Sequence, residues 1–127
     1  IEKLPFMDWR QLPAVIAALD INLLPPEHSL VLWCKSGNKW TGAALVKVPS
    51  VMSRNCEMEY VVENGKDGWM CTTKEEWVNA LEALVTDEKA RKAMGEAAHQ
   101  KVMEHYLTVN TGKDAMEELL CSESYTK

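Results

Sequence analysis

The sequence predicts an α/β fold, a parallel sheet of about four strands flanked by helices, and three observations predict it. Short apolar segments (Asp20 to Leu24, Pro49 to Ser53, Trp69 to Cys71) recur between stretches of helical spacing, as in strands buried on both faces. The passage from Pro49 to Met70 has the order strand, short helix, double turn, strand. Within it, Gly65 suits a left-handed backbone, and Asp67-Gly68 can turn the chain into a new strand. The remainder, from Thr73 onward, is an almost unbroken helical pattern. Repeated βαβ units make a parallel sheet, and such sheets hold ligands at the carboxyl ends of their strands.

Taken in order, Ile1 to Phe6 is a strand candidate. Asp8 can cap a helix from Trp9 to about Leu19, with Leu12, Val15, Ile16 and Leu19 on one face. Pro13 falls near its first turn, where proline is tolerated. Asp20 to Leu24 is a short strand ended by Pro25-Pro26, and Glu27 to Trp33 is a loop. Lys35 to Val46 forms a helix whose small residues allow close approach to a sheet or a ligand. Pro49 to Ser53 is a strand, and Asn55 can cap a short helix that turns Met58, Val61 and Val62 inward. Trp69 to Cys71 is the last strand. Thr73 with Glu76 makes a capping box for a helix striped by Trp77, Leu81, Leu84 and Val85. Asp87 can cap the next helix, with Met94, Ala97, Ala98, Val102 and Tyr106 on one side, and a last helix covers about Asn110 to Leu120.

One domain, residues 1–127, is the count that fits this length. A net charge of -5 argues against a nonspecific nucleic-acid surface. No apolar run reaches the roughly 20 residues that span a bilayer, and the first ten residues lack the pattern of a signal peptide. The four cysteines are widely spaced without Cys-x-x-Cys, which favours reduced thiols in a cytoplasmic protein. His28, His99 and His105 form no ligand pair with cysteines or acids, so no metal is expected. Neither Gly-x-Gly-x-x-Gly nor a Walker loop occurs, and no cofactor is expected. Starting at Ile1 rather than Met, the chain reads as a piece of something longer.

Lys35-Ser36-Gly37-Asn38-Lys39-Trp40-Thr41-Gly42-Ala43-Ala44-Leu45, running to Val48-Pro49 and a strand ending in Ser53, is followed by Asn64-Gly65 and Gly68-Trp69. Next come Glu75-Glu76-Trp77 and an Arg/Gly/Ala helix from Arg91 to Tyr106; upstream stand Trp9, Leu12-Pro13 and Ala18-Leu19-Asp20-Ile21. In this order the pieces resemble the C-terminal, nucleotide-sugar-binding half of retaining GT-B glycosyltransferases of the group 1 type. The resemblance covers nearly the whole chain. It implies a partial Rossmann-like donor domain in a parent that moves a sugar from a nucleotide-sugar donor to a glycan or lipid-linked acceptor, as in bacterial surface polysaccharide synthesis. The acceptor would bind a missing N-terminal domain. The parent would be cytoplasmic, or peripheral at the inner face of the membrane, and the fragment alone would be inactive. Two strands of the donor sheet would also be missing, leaving an open edge through which a homodimer could form.

The family's paired donor-site glutamates fall, counted back from Pro49, at Gly42 and Cys34, so both carboxylates are absent. This opens a second reading, a non-catalytic domain that keeps the fold for interaction or assembly. A receiver-like domain is a third reading, weakened by strand ends that carry Pro25, Ser53 and Cys71 instead of clustered acids. The resemblance places Lys35, Ser36 and Lys39 near the donor diphosphate, at a helix N-terminus that favours anions; they are equally readable as solvated lysines and a helix cap. His28 lies where the family's donor loop lies. Trp33 could stack on a base or sugar, or anchor its loop. Trp9, Trp40, Trp69 and Trp77 read as core, and Glu57 and Glu59 as a charged helix start. Cys34 has no His-Asp pattern to make it a nucleophile.

Overall fold

The computed structural model describes residues 3–25, 37–55 and 57–113. Their centre is a three-stranded parallel sheet in the order β1 (Asn22–Leu24), β2 (Ser50–Ser53), β3 (Trp69–Cys71). Leu23 stands opposite Val51, and Met52 opposite Met70. Alternation along β2 sends successive side chains to opposite faces. Met52 joins Trp40, Ala44, Met58, Val62, Met70, Ala98 and Val102 in one buried cluster. Val51 joins Cys71, Ala80, Leu84 and Met94 in the other.

Helices cover both faces. A 3-10 turn (Trp9–Gln11) leads into α1 (Leu12–Ala17); α2 (Asn38–Leu45) and α3 (Met58–Val61) flank β2 in sequence; α4 (Lys74–Thr86) and α5 (Glu88–His105) follow β3. Residues 108–113 are also helical. The expected caps form. The Asp8 carboxylate accepts from Arg10 N–H at 2.9 Å and Asn55 Oδ1 from Met58 N–H at 2.8 Å. The Thr73–Glu76 box closes in both directions, and Asp87 accepts from Lys89 and Ala90 N–H.

α2 ends in an unusual way. Lys47 N–H donates to Ala44 O at 3.0 Å and Val48 N–H to Ala43 O at 3.0 Å, the paired bonds of a Schellman motif. The left-handed residue in it is Lys47, at φ 62°, where glycine is the usual occupant. α5 presses on this turn through Gly95: a Cβ there would collide with the Lys47 carbonyl. α2 and α5 therefore touch backbone to backbone.

The structure corrects the sequence reading at the N-terminus. Of the expected strand Ile1 to Phe6, the described part has no regular structure and is exposed, so the sheet has three strands among the described residues instead of about four. The expected helix from Trp9 to Leu19 is shorter and starts with a 3-10 turn; its proline sits at the start of α1. Trp9 is 72% exposed and Val85 65% exposed, so neither belongs to the core. Spacing identifies a helix face, but only a partner surface can bury it. The part of the last helix beyond residue 113 lies outside the described residues.

Candidate functional site

The carboxyl ends of a parallel sheet are the place to look for a ligand, and here they are formed around β2. α2 begins beside this end, and its start is fixed from three sides. Gly37 caps it, and its backbone lies so close to α3 that a Cβ would meet Met58 Cε at 2.9 Å. The Glu57 carboxylate, just after β2, accepts the Gly37 N–H at 2.9 Å. Trp40, in the first turn, is fully buried and donates its indole N–H to Asp67 O at 3.0 Å.

Asp67 ties these elements together. Its side chain is 2% exposed, accepts Glu63 N–H at 2.8 Å, and meets Lys101 Nζ of α5 at 2.7 Å. Gly65, at φ +82°, lets the same turn fold back, with its N–H donating to Gly68 O at 2.8 Å. The double turn therefore does more than redirect the chain into β3. It anchors α2 through a tryptophan and α5 through an ion pair.

On α2, the core side is Trp40, Ala43 and Ala44, all buried. Lys39 and Gly42 stand three residues apart away from that side, Lys39 exposed and Gly42 half-buried. A Cβ built at Gly42 meets no atom within 4 Å, so a longer side chain has room there. His28, Trp33, Cys34, Lys35 and Ser36 lie outside the described residues. Of the candidate site residues, then, Lys39 and Gly42 are brought together.

Sequence reasoning gave neither Glu57 nor Ser53 a role in the site. Glu57, read as a charged helix start, is a cap for a different helix. Ser53, at the carboxyl end of β2, has a buried hydroxyl oxygen with no hydrogen-bond partner among the described residues. The Asp67–Lys101 pair joins residues far apart in the chain, and no local pattern announces such a pair. Cys71, the next strand's terminal residue, is a free buried thiol, pushed above its ordinary value by burial and by the Glu76 charge, which disfavours the reactive thiolate. Among the described residues no group of three or more His, Cys, Asp or Glu could hold a metal ion, and no helix is long and apolar enough to cross a membrane.

No protein-family model matches the chain, and no curated protein matches it. Among solved structures, the chain is similar to the C-terminal domain of a glycosyl transferase group 1 family protein from Francisella tularensis. The TM-score is 0.61 at 18% identity, with 81% of this chain and 52% of that chain covered. The chain thus spans about half the length of that structure. A likeness at this identity shows the fold alone, a Rossmann-like α/β architecture.

Proposed function

We propose that this chain is the C-terminal part of a nucleotide-sugar donor domain in a glycosyltransferase that moves a sugar to a glycan or lipid-linked acceptor. The observation that carries the reading is the position of α2. It begins at the carboxyl end of a parallel sheet, where α/β proteins place phosphates against helix N-termini. On its outer side it carries Lys39 and the open position at Gly42. Lys39, with Lys35 and Ser36 just before the helix, would contact the diphosphate, while His28 and Trp33 belong to the donor loop. The acceptor binds a separate N-terminal domain, and the protein works in the cytoplasm, at the inner face of the membrane when its acceptor is a lipid. The outer edge of β1, which pairs with no strand among the described residues, is a surface through which two copies can associate.

Titrating the protein as the cell makes it with UDP-, GDP- and dTDP-sugars tests this reading. The expected result is saturable binding of one nucleotide class together with sugar transfer to a lipid-linked or glycan acceptor. Absence of both overturns it.

A second reading is favoured by one observation: the donor-site carboxylate expected at position 42 is replaced by glycine. Under it the domain keeps its fold as an interaction module. Pull-down of a specific protein partner by a chain that binds none of the nucleotides is its expected signature; nucleotide binding rules it out.

A further inference from the structure

A cleft of ≈ 340 Å³ opens beside the outer edge and carboxyl end of β3, in the size range of small-molecule sites. One wall is the face of α4 that carries Glu76, Ala80 and Ala83; the other holds Asn64, Trp69 and Arg54. It lies on the far side of the sheet's last strand from α2, and the donor-site reading makes no use of it.

Its polar groups have a clear bias. The Arg54 guanidinium spends Nη1 on Glu59 at 3.2 Å and makes no other hydrogen bond or ion pair among the described residues, which leaves most of its five N–H donors available. Asn64, which lines the cleft, uses its carbonyl oxygen on Met70 N–H at 2.7 Å, and its amide donors are unspent among the described residues. The Trp69 indole N–H and the Asn79 side chain likewise have no hydrogen-bond partner among the described residues. Against these stand two carboxylates, Glu59 on one edge of the Arg54 guanidinium and Glu76 in the lining, whose Oε2 is already engaged by Thr72 and Thr73 N–H at 2.6 and 3.1 Å. Trp69 on one wall and Ala80 and Ala83 on the other supply apolar surface.

The same geometry refuses a peptide. The Cys71 carbonyl accepts Arg54 N–H at 3.0 Å on the side of β2, whereas Met70 directs its N–H away from β2. Its N–H is capped by Asn64, so an added strand would have to displace that bond. A small ligand meets no such obstacle. Cys71 borders the cleft as a free, buried thiol.

The geometry points to a binding site for a small anion carried on a flat ring, an aromatic carboxylate or phosphate, with the ring against Trp69 and Ala83 and the anion on Arg54. Phenyl phosphate is the probe. In two-dimensional NMR of the ¹⁵N-labelled chain it should move the Trp69 indole and the Asn64 and Asn79 side-chain amide signals saturably. Inorganic phosphate, which lacks the ring, and phenol, which lacks the charge, should leave them in place at the same concentrations. Arg54→Gln should weaken phenyl phosphate binding roughly tenfold or more, the size of one charge-assisted hydrogen bond. Ala83→Trp, a substitution at an exposed position that fills the cleft, should abolish it while the remaining spectrum stays folded. Shifts that do not saturate, that inorganic phosphate reproduces, or that survive both substitutions overturn the assignment. None of these outcomes depends on whether α2 binds a nucleotide sugar.

Discussion

Two stretches of this chain carry similar apolar residues and use them in opposite ways. From Gly37 to Val102, tryptophan, methionine and valine close into two clusters around β2. From residue 3 to residue 20, no residue is buried, and Leu4, Phe6, Trp9, Leu12 and Leu19 all face outward. The difference lies in what each stretch has to pack on. The later helices flank a strand that has a neighbour on each side. The earlier ones precede β1, the edge of the sheet, whose own Leu23 is half exposed, and α1 touches α2 instead of the sheet's centre. Periodicity alone is the same in both places; burial requires a second surface.

A pair of identical substitutions breaks the comparison most sharply. Trp40→Ala removes a fully buried ring and the bond to Asp67 O, and should cost about 3–5 kcal/mol. Trp9→Ala should stay within about 0.5 kcal/mol, as for other exposed positions. Urea unfolding of the two variants measures both, and comparable losses would mean that the N-terminal stretch is packed after all.

Next in size is the link between the double turn and α5. Lys101→Met leaves the Asp67 carboxylate buried without its cation. The expected loss is about 3–5 kcal/mol, with the midpoint of denaturation shifted and its slope unchanged. A loss within about 1 kcal/mol, as for an exposed pair, would show that this pair does not anchor the turn.

A smaller effect, of opposite sign, is expected where α2 ends. Lys47→Gly removes a side chain from a left-handed residue at the expense of one exposed pair with Glu96, at 2.8 Å. Thermal unfolding should show stabilisation of up to about 1 kcal/mol; a clear loss would mean that the ion pair outweighs the backbone.

The smallest effect is a pH dependence at the start of α4. The Thr72 and Thr73 N–H groups hold the Glu76 carboxyl below the usual carboxylate range. Its folded value is depressed, so the stabilisation is fully present above the ordinary glutamate value and is lost as pH falls through the folded one. The gap in Tm between the native chain and Glu76→Gln should therefore narrow on acidification from neutral pH. A gap that stays constant would rule out the carboxylate as its source.

Much of the later stretch was legible in the sequence because its signals are local. The Thr73–Glu76 box, the Asp87 and Asn55 caps and the Gly65 turn each need only a few neighbouring residues, and each forms as read. The parallel pairing of β1, β2 and β3 followed from apolar runs separated by helices. What escaped was non-local. Trp9 and Val85 have helical spacing but no partner surface. Asp67 reads as a turn residue until Lys101 and Trp40 arrive from other elements. Glu57 reads as surface until Gly37 comes within hydrogen-bonding distance. At the candidate site, the position of Gly42 could be counted from Pro49, but the empty space beside it could not.

That space gives the most direct measurement. If the outer side of α2 is a donor site that has lost its carboxylate, Gly42→Glu should restore contacts to the ribose hydroxyls. Charged hydrogen bonds of about 1.5–3 kcal/mol each predict a gain of one to two orders of magnitude in nucleotide-sugar affinity. Calorimetric titration of the native and Gly42→Glu chains with the same nucleotide sugars reads it. Tighter binding by the variant is the predicted result; equal binding, or none in either chain although Gly42→Glu folds as the native chain does, contradicts the assignment of this face to a sugar donor.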